Sequence, residues 1–132
     1  MNNEERIEYV KYRIDSAYKT LDAAKVLTEN GFWNSAVNRL YYSVFYAVNA
    51  LLVLNEIIVK SHSSTKGEFS KLFIKTGKID KKYGRLYNEL HDWRQKGDYE
   101  NIFEYDEESV VPLIMPVEEL IDLIEKEISN AL

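Results

Sequence analysis

The amino-acid sequence predicts an all-α protein, an antiparallel up-down four-helix bundle with one additional short helix. Three observations carry that prediction. Apolar residues recur at three-and-four spacing over long stretches, as in Ile7, Val10, Ile14, Ala17, Leu21 and Ala24. The 132 residues include only five Gly and two Pro, too little punctuation for the many turns of a β fold. There is no Cys, so a disulfide framework and a thiolate metal centre are both excluded.

The first helix is predicted over residues 4–29, where Asn30-Gly31 stops it. The second covers 34–54, with Asn34 as its cap. A third begins near Thr65, because Thr65-Lys66-Gly67-Glu68 has capping-box spacing, and ends at Gly77. Asp80 caps a fourth that runs to Gly97. The last repeats apolar residues at Leu113, Val117, Leu120, Ile121, Ile124 and Ile128. Pro112 and Pro116 in its first turns predict a late start or a kink. Short connections between such helices make neighbours antiparallel. No repeat or linker divides the chain, so residues 1–132 read as one domain of a size that supports one core.

Hydrophobic residues at 45% and charged residues at 30% place the chain among globular proteins rather than disordered ones. The net charge of −5 argues against a broad basic face clamping a long nucleic acid, yet leaves room for a local site built on a few Arg. The N-terminus is charged and opens an amphipathic segment, unlike a signal peptide. The apolar run over residues 40–54 contains Tyr, Ser and Asn and is too short for a bilayer, so a cytoplasmic location without membrane contact is expected. The two His lack carboxylates at ligand spacing, and neither metal nor cofactor is expected.

At about 100° per residue the second helix divides into two sides. Ala36, Leu40, Val44, Ala47, Val48 and Leu51 share an apolar side. Ser35, Asn38, Arg39, Tyr42, Tyr46 and Asn49 share the other, a stripe of amides, hydroxyls and one guanidinium without Lys or Glu. A solvated face of so charged a protein would carry Lys and Glu, so the stripe reads as packing or a dimer interface first and as a ligand cleft second. Asn38, Tyr42, Tyr46 and Asn49 are its interface candidates. On the fourth helix Tyr83, Leu86, Leu90 and Trp93 face inward, with Arg94 at the edge of that side near Tyr87. Asp98 stands where it can fold back on Arg94 and order the loop, the structural alternative to a functional arginine.

Two stretches taken together, Arg39-Leu40-Tyr41-Tyr42-Ser43-Val44-Phe45-Tyr46-Ala47 and Leu90-His91-Asp92-Trp93-Arg94-Gln95-Lys96-Gly97-Asp98-Tyr99, resemble the HEPN domain, in particular its small stand-alone branch. Ser61-His62-Ser63 and residues 73–79 between them fit the same pattern, so the resemblance covers nearly the whole chain. It implies an antiparallel helical bundle, a homodimer, and frequent pairing with a small nucleotidyltransferase as toxin and antitoxin. Active toxins of the family cut RNA without a metal, using an Arg and a His four to six residues later in the dimer cleft. Here the family-like arginine is Arg94, and Tyr99, Glu100 and Asn101 hold the places of the His. A phenol with a pKa near about 10 is a poor base at neutral pH where imidazole is a good one. The tyrosine that partner enzymes modify in some toxins has its counterpart at Asn101, so that feature does not carry over. Arg85 and His91 match the spacing literally, but on one helix they diverge by roughly 120°.

The leading expectation is therefore a homodimeric binding module for a nucleotide, an RNA end or a partner nucleotidyltransferase. Its cleft would use Arg39, Tyr42, Tyr46, Arg94, Asp98 and Tyr99. The competing one is a metal-independent endoribonuclease in which Arg94 stabilises the phosphorane and Tyr99, His62 or His91 replaces the usual base. The third is a structural helical adaptor whose stripe only holds a dimer together.

Overall fold

In the computed structural model, which describes residues 1–99 and 104–132, helix α1 (Asn3–Glu29) begins at a full capping box. The Asn2 side chain accepts from the Glu5 amide at 2.8 Å while Glu5 reaches back to the Asn2 amide. It ends in a Schellman turn: Gly31 sits at φ +75°, its amide donates to Thr28 and the Phe32 amide donates to Leu27. That turn reverses the chain within residues 30–32, and helix α2 (Trp33–Leu54) runs back along α1. Asn34 does not cap it. The cap position is Phe32, with no side-chain bond, because the Asn34 amide is engaged elsewhere.

Helix α2 is the centre of the fold and packs on α1, α3, α4 and α5. By length and hydropathy it could cross a membrane, but eleven of its side chains are buried inside the bundle. Leu40, Val44, Ala47, Val48, Leu51 and Leu52 meet Val10, Ala17, Leu21 and Ala24 from α1 and the Leu120–Ile128 portion of the last helix. Each Val, Leu or Ile side chain taken from water contributes about 1.5–3 kcal/mol, and each Ala less than about 1 kcal/mol.

Helix α3 (His62–Phe69) starts three residues earlier than Thr65, because Ser61 and Ser64 form the capping box and Thr65 is buried within the helix. It then widens into a π turn over Ser70–Ile74, closed by the Lys75 amide donating to Ser70 at 2.8 Å. Gly77, at φ +79°, ends the segment. Helix α4 (Lys81–Tyr99) follows, with Asp80 accepting from the Lys82 amide.

Helix α5 (Glu107–Ala131) starts before its prolines, contrary to the expected late start, because Asp106 caps it by accepting from Ser109. Pro112 and Pro116 lie four residues apart on its less buried side, where the carbonyls they leave without an amide partner can reach water. Tyr18 donates to Asp122 at 2.6 Å and Tyr83 to Glu119 at 3.0 Å, tying α1 and α4 to this last helix. All described secondary structure is helical. Asn34 acts as a clasp between distant elements: it accepts from the Tyr105 amide at 2.8 Å and donates to the Gly97 carbonyl at 3.4 Å. The Tyr105 ring then stacks on Trp93 at 4.8 Å and its hydroxyl bonds the Trp93 carbonyl.

Candidate functional site

Tyr41 is the hub. Its position on α2 turns it neither to the apolar side nor to the polar stripe but between them, fully buried. Helix α4 brings Tyr87, His91 and Arg94 against it, since spacing of three and four puts those three on one face. Helix α3 contributes His62 at its first turn. The Tyr41 ring lies 5.7 Å from His62, 5.7 Å from His91 and 6.1 Å from Tyr87, centre to centre. The Arg94 guanidinium carbon sits 5.0 Å from the Tyr41 ring and 5.7 Å from that of Tyr42.

Arg94 is only 7% exposed. Among the described residues it has no carboxylate in ion-pair range, and its Nε has no hydrogen-bond partner. Among the described residues the Tyr87 hydroxyl and His91 Nδ1 are also buried outside ideal hydrogen-bond geometry, the former interacting with the Tyr41 hydroxyl. Asp92 stands 3.7 Å from His91 Nδ1, too far for one. His62 Nδ1 is hydrogen-bonded to the Tyr41 hydroxyl, and the His62 ring stacks on Phe45 at 4.6 Å.

The electrostatics follow from burial. Desolvation, then the Arg94 charge, then His91, push the His62 pKa down. His91 is lowered by desolvation and by Lys66, with Arg94 adding to this and Asp92 opposing it. Both imidazoles are therefore neutral at pH 7, able to take a proton. Burial pushes the Tyr41 phenol up to about 12, against the pull of Arg94.

The stripe of α2 serves two neighbours. Tyr46 lies under Arg13 of α1 at 5.1 Å, Arg13 Nε donates to the Tyr9 hydroxyl, and Tyr9 donates to Asn49 at 3.1 Å. Further along, Asn38 accepts from Arg39 at 2.7 Å and donates to Asp98 at 2.9 Å, while Arg39 stacks on Tyr42 at 5.2 Å. Asp98 thus pairs with Asn38, not with Arg94. Asn34, Asn38, Arg39 and Asp98 line an open groove of about 610 Å³, linked to the cluster through Tyr42, on which both Arg39 and Arg94 lie.

Tyr99 does not join Arg94: five residues along a helix turn it about 140° away, and it is 73% exposed. Glu100 and Asn101, two of the places for a His, lie outside the described residues. Arg85 is exposed while His91 is buried, so their literal match forms no pair. Sequence reasoning rejects the Arg85–His91 pair and keeps His91 as one of three candidate bases; its place one turn before Arg94 is the signal that those two share a face. Tyr41 and Tyr87, large polar rings at the edges of the apolar sides of α2 and α4, carry a similar signal. Among the described residues no three His, Asp or Glu converge as a metal site.

The fold and this cluster define a class: a helical bundle that buries an arginine among tyrosines and neutral histidines, with no carboxylate partner for it among the described residues. Residues 10–128 match the HEPN domain, and the chain belongs to that family. A UPF0332 protein of Thermotoga maritima is 40% identical over 130 residues, covering 98% of this chain and 97% of the relative. Two proteins of Methanocaldococcus jannaschii named "Putative toxin" are also similar. One is 40% identical over 76% of this chain and 69% of its own length. The other is 32% identical over 98% and 96%.

Proposed function

We propose that this chain is a HEPN-type binding module that receives an anionic group, the phosphate of a nucleotide or RNA, at Arg94. The observation that carries the reading is the buried guanidinium without a counter-ion among the described residues. Burying an unpaired cation costs several kcal/mol, and that cost is recovered when a ligand supplies the anion. A guanidinium takes phosphate bidentately, and Tyr41 and Tyr42 hold its plane in place. Arg39 and Asn38 line the adjoining groove and extend the donor set. The toxin names of two relatives support a role in a toxin–antitoxin-like pair, with a nucleotidyltransferase as the expected partner. The working unit in this proposal is a homodimer, formed across the half-buried stripe at Asn38, Tyr42, Tyr46 and Asn49.

The test is titration of a labelled single-stranded RNA in EDTA, with sedimentation to read the oligomer. Arg94→Ala is expected to abolish binding; unchanged affinity in that variant overturns the proposal. A second reading, metal-independent RNA cleavage, is favoured by one observation: two neutral imidazoles flank the arginine. In it His62 or His91 acts as the base in place of Tyr99. Cleavage products in EDTA that vanish in His62→Asn or His91→Asn and in Arg94→Ala would establish it, and intact RNA would remove it.

A further inference from the structure

A second basic site lies outside the cluster. The π turn after α3 and the first half of α4 enclose a groove of about 280 Å³. Lys66, Lys75, Lys81 and Arg85 line it, with Ser70 and Asn88 between them and no Asp or Glu. Among the described residues none of those four cations has an ion-pair partner. The whole chain carries 22 acidic against 17 basic side chains, so four uncompensated cations in one groove run against its overall charge. Like charges gathered in one groove repel each other and create a positive potential that draws an anion into it.

Local structure explains how they meet. The π turn offsets Lys75 from the register a plain helix would give it. Gly84 lets α4 approach, since a Cβ there would stand 3.2 Å from the Ile74 side chain. Amide and hydroxyl side chains between Lys and Arg are the donors that grip sugar-phosphate backbones. Lys66 also joins the two sites, because its charge acts on His91, which borders Arg94.

We propose that this groove is a phosphate subsite that holds the backbone of a single-stranded RNA whose terminal or neighbouring phosphate occupies Arg94. The proposal rests on the RNA reading above. It uses Lys75, Lys81 and Arg85 as the outer contacts and Lys66 as the link inward. Phe69 and Tyr87 in its floor are buried, so the groove grips phosphates and does not stack bases.

The experiment compares the whole protein with the triple variant Lys75→Gln, Lys81→Gln, Arg85→Gln, three exposed positions whose replacement leaves the core intact. Binding of a labelled oligouridylate is followed by anisotropy across a salt series, with Arg94→Met in parallel. Neutralising one phosphate-binding cation lowers the salt slope by about 0.7 for a single strand, so the triple variant should fall by about two in slope and at least about tenfold in affinity. Wild-type affinity and slope in the triple variant, with Arg94→Met weakened, overturns the groove and leaves the Arg94 reading standing. No RNA binding by the unmodified protein overturns both. A labelled polyglutamate that binds as tightly as RNA, and is released by the triple variant, overturns RNA as the occupant.

Discussion

Replacing Arg94 by Met separates a functional arginine from a structural one, because the two roles predict opposite signs for stability. The guanidinium is 7% exposed and has no carboxylate partner among the described residues. Exchanging a buried ion for an apolar residue of similar volume is often neutral or stabilising by about 1–4 kcal/mol. Against this stand two ring contacts at 5.0 and 5.7 Å, each contributing about 0.5–1 kcal/mol. The balance is a gain of about 1 kcal/mol, or a rise in Tm of roughly 4 °C for a domain of this size. The assay is urea denaturation at fixed protein concentration in a phosphate-free buffer, so that no anion or change in oligomer contributes. A second readout comes from His62, whose pKa should rise toward the ordinary value once the nearby cation is gone; NMR titration of its ring proton reports it. A destabilisation exceeding about 2 kcal/mol would refute the reasoning, since it would mean that the guanidinium is satisfied within the protein.

Two further outcomes follow from the same structure. The folded-state pKa values of His62 and His91 lie below the ordinary 6.5, so the unfolded chain binds more protons in that window. Their contribution to stability is complete above about pH 6.5 and is lost as pH falls below it, by at most about 1.4 kcal/mol per unit for each His. Urea midpoints at about pH 7.5 and pH 5.5 should therefore differ, and the double variant His62→Asn, His91→Asn should flatten the difference; equal midpoints for the unmodified protein would contradict it. Asn34→Ala removes the acceptor of the Tyr105 amide and should cost about 1–2 kcal/mol. Its marker is a red shift in tryptophan emission as Tyr105 leaves Trp93; unchanged stability and emission would show the clasp to be dispensable.

Much of the bundle is legible in the sequence because the core is periodic. The apolar phase of α2 and the Leu113-to-Ile128 repeat of α5 each form buried faces, since both depend only on spacing. The failures occur where one side chain has two possible employers. Asn34 has the composition of a cap yet reaches across to Tyr105. Thr65 begins a string with capping spacing, but Ser61 and Ser64 form the box one turn earlier, and Thr65 is needed inside. The prolines predict a late start or a kink in α5; the late start does not occur, because Asp106 caps the helix upstream of them. At the site, the sequence points to Arg94 and to Tyr42, Tyr87, His62 and His91 as candidates near it, but not to Tyr41 as the ring that joins them. The tie between Tyr41 and His62 spans 21 positions and depends on where α3 begins, which local spacing does not determine.

The π turn over Ser70–Ile74 gives the molecule a single-residue switch of shape. A π turn closing a helix holds one residue more per hydrogen-bonded loop than an α turn. Removing one residue there would restore ordinary winding and swing everything after it by about 100° around the axis. Lys75 would leave its groove while keeping its identity, and Ile74 would no longer approach Gly84. Two descendants of one ancestor, alike at every basic position, would then differ in the groove through length alone.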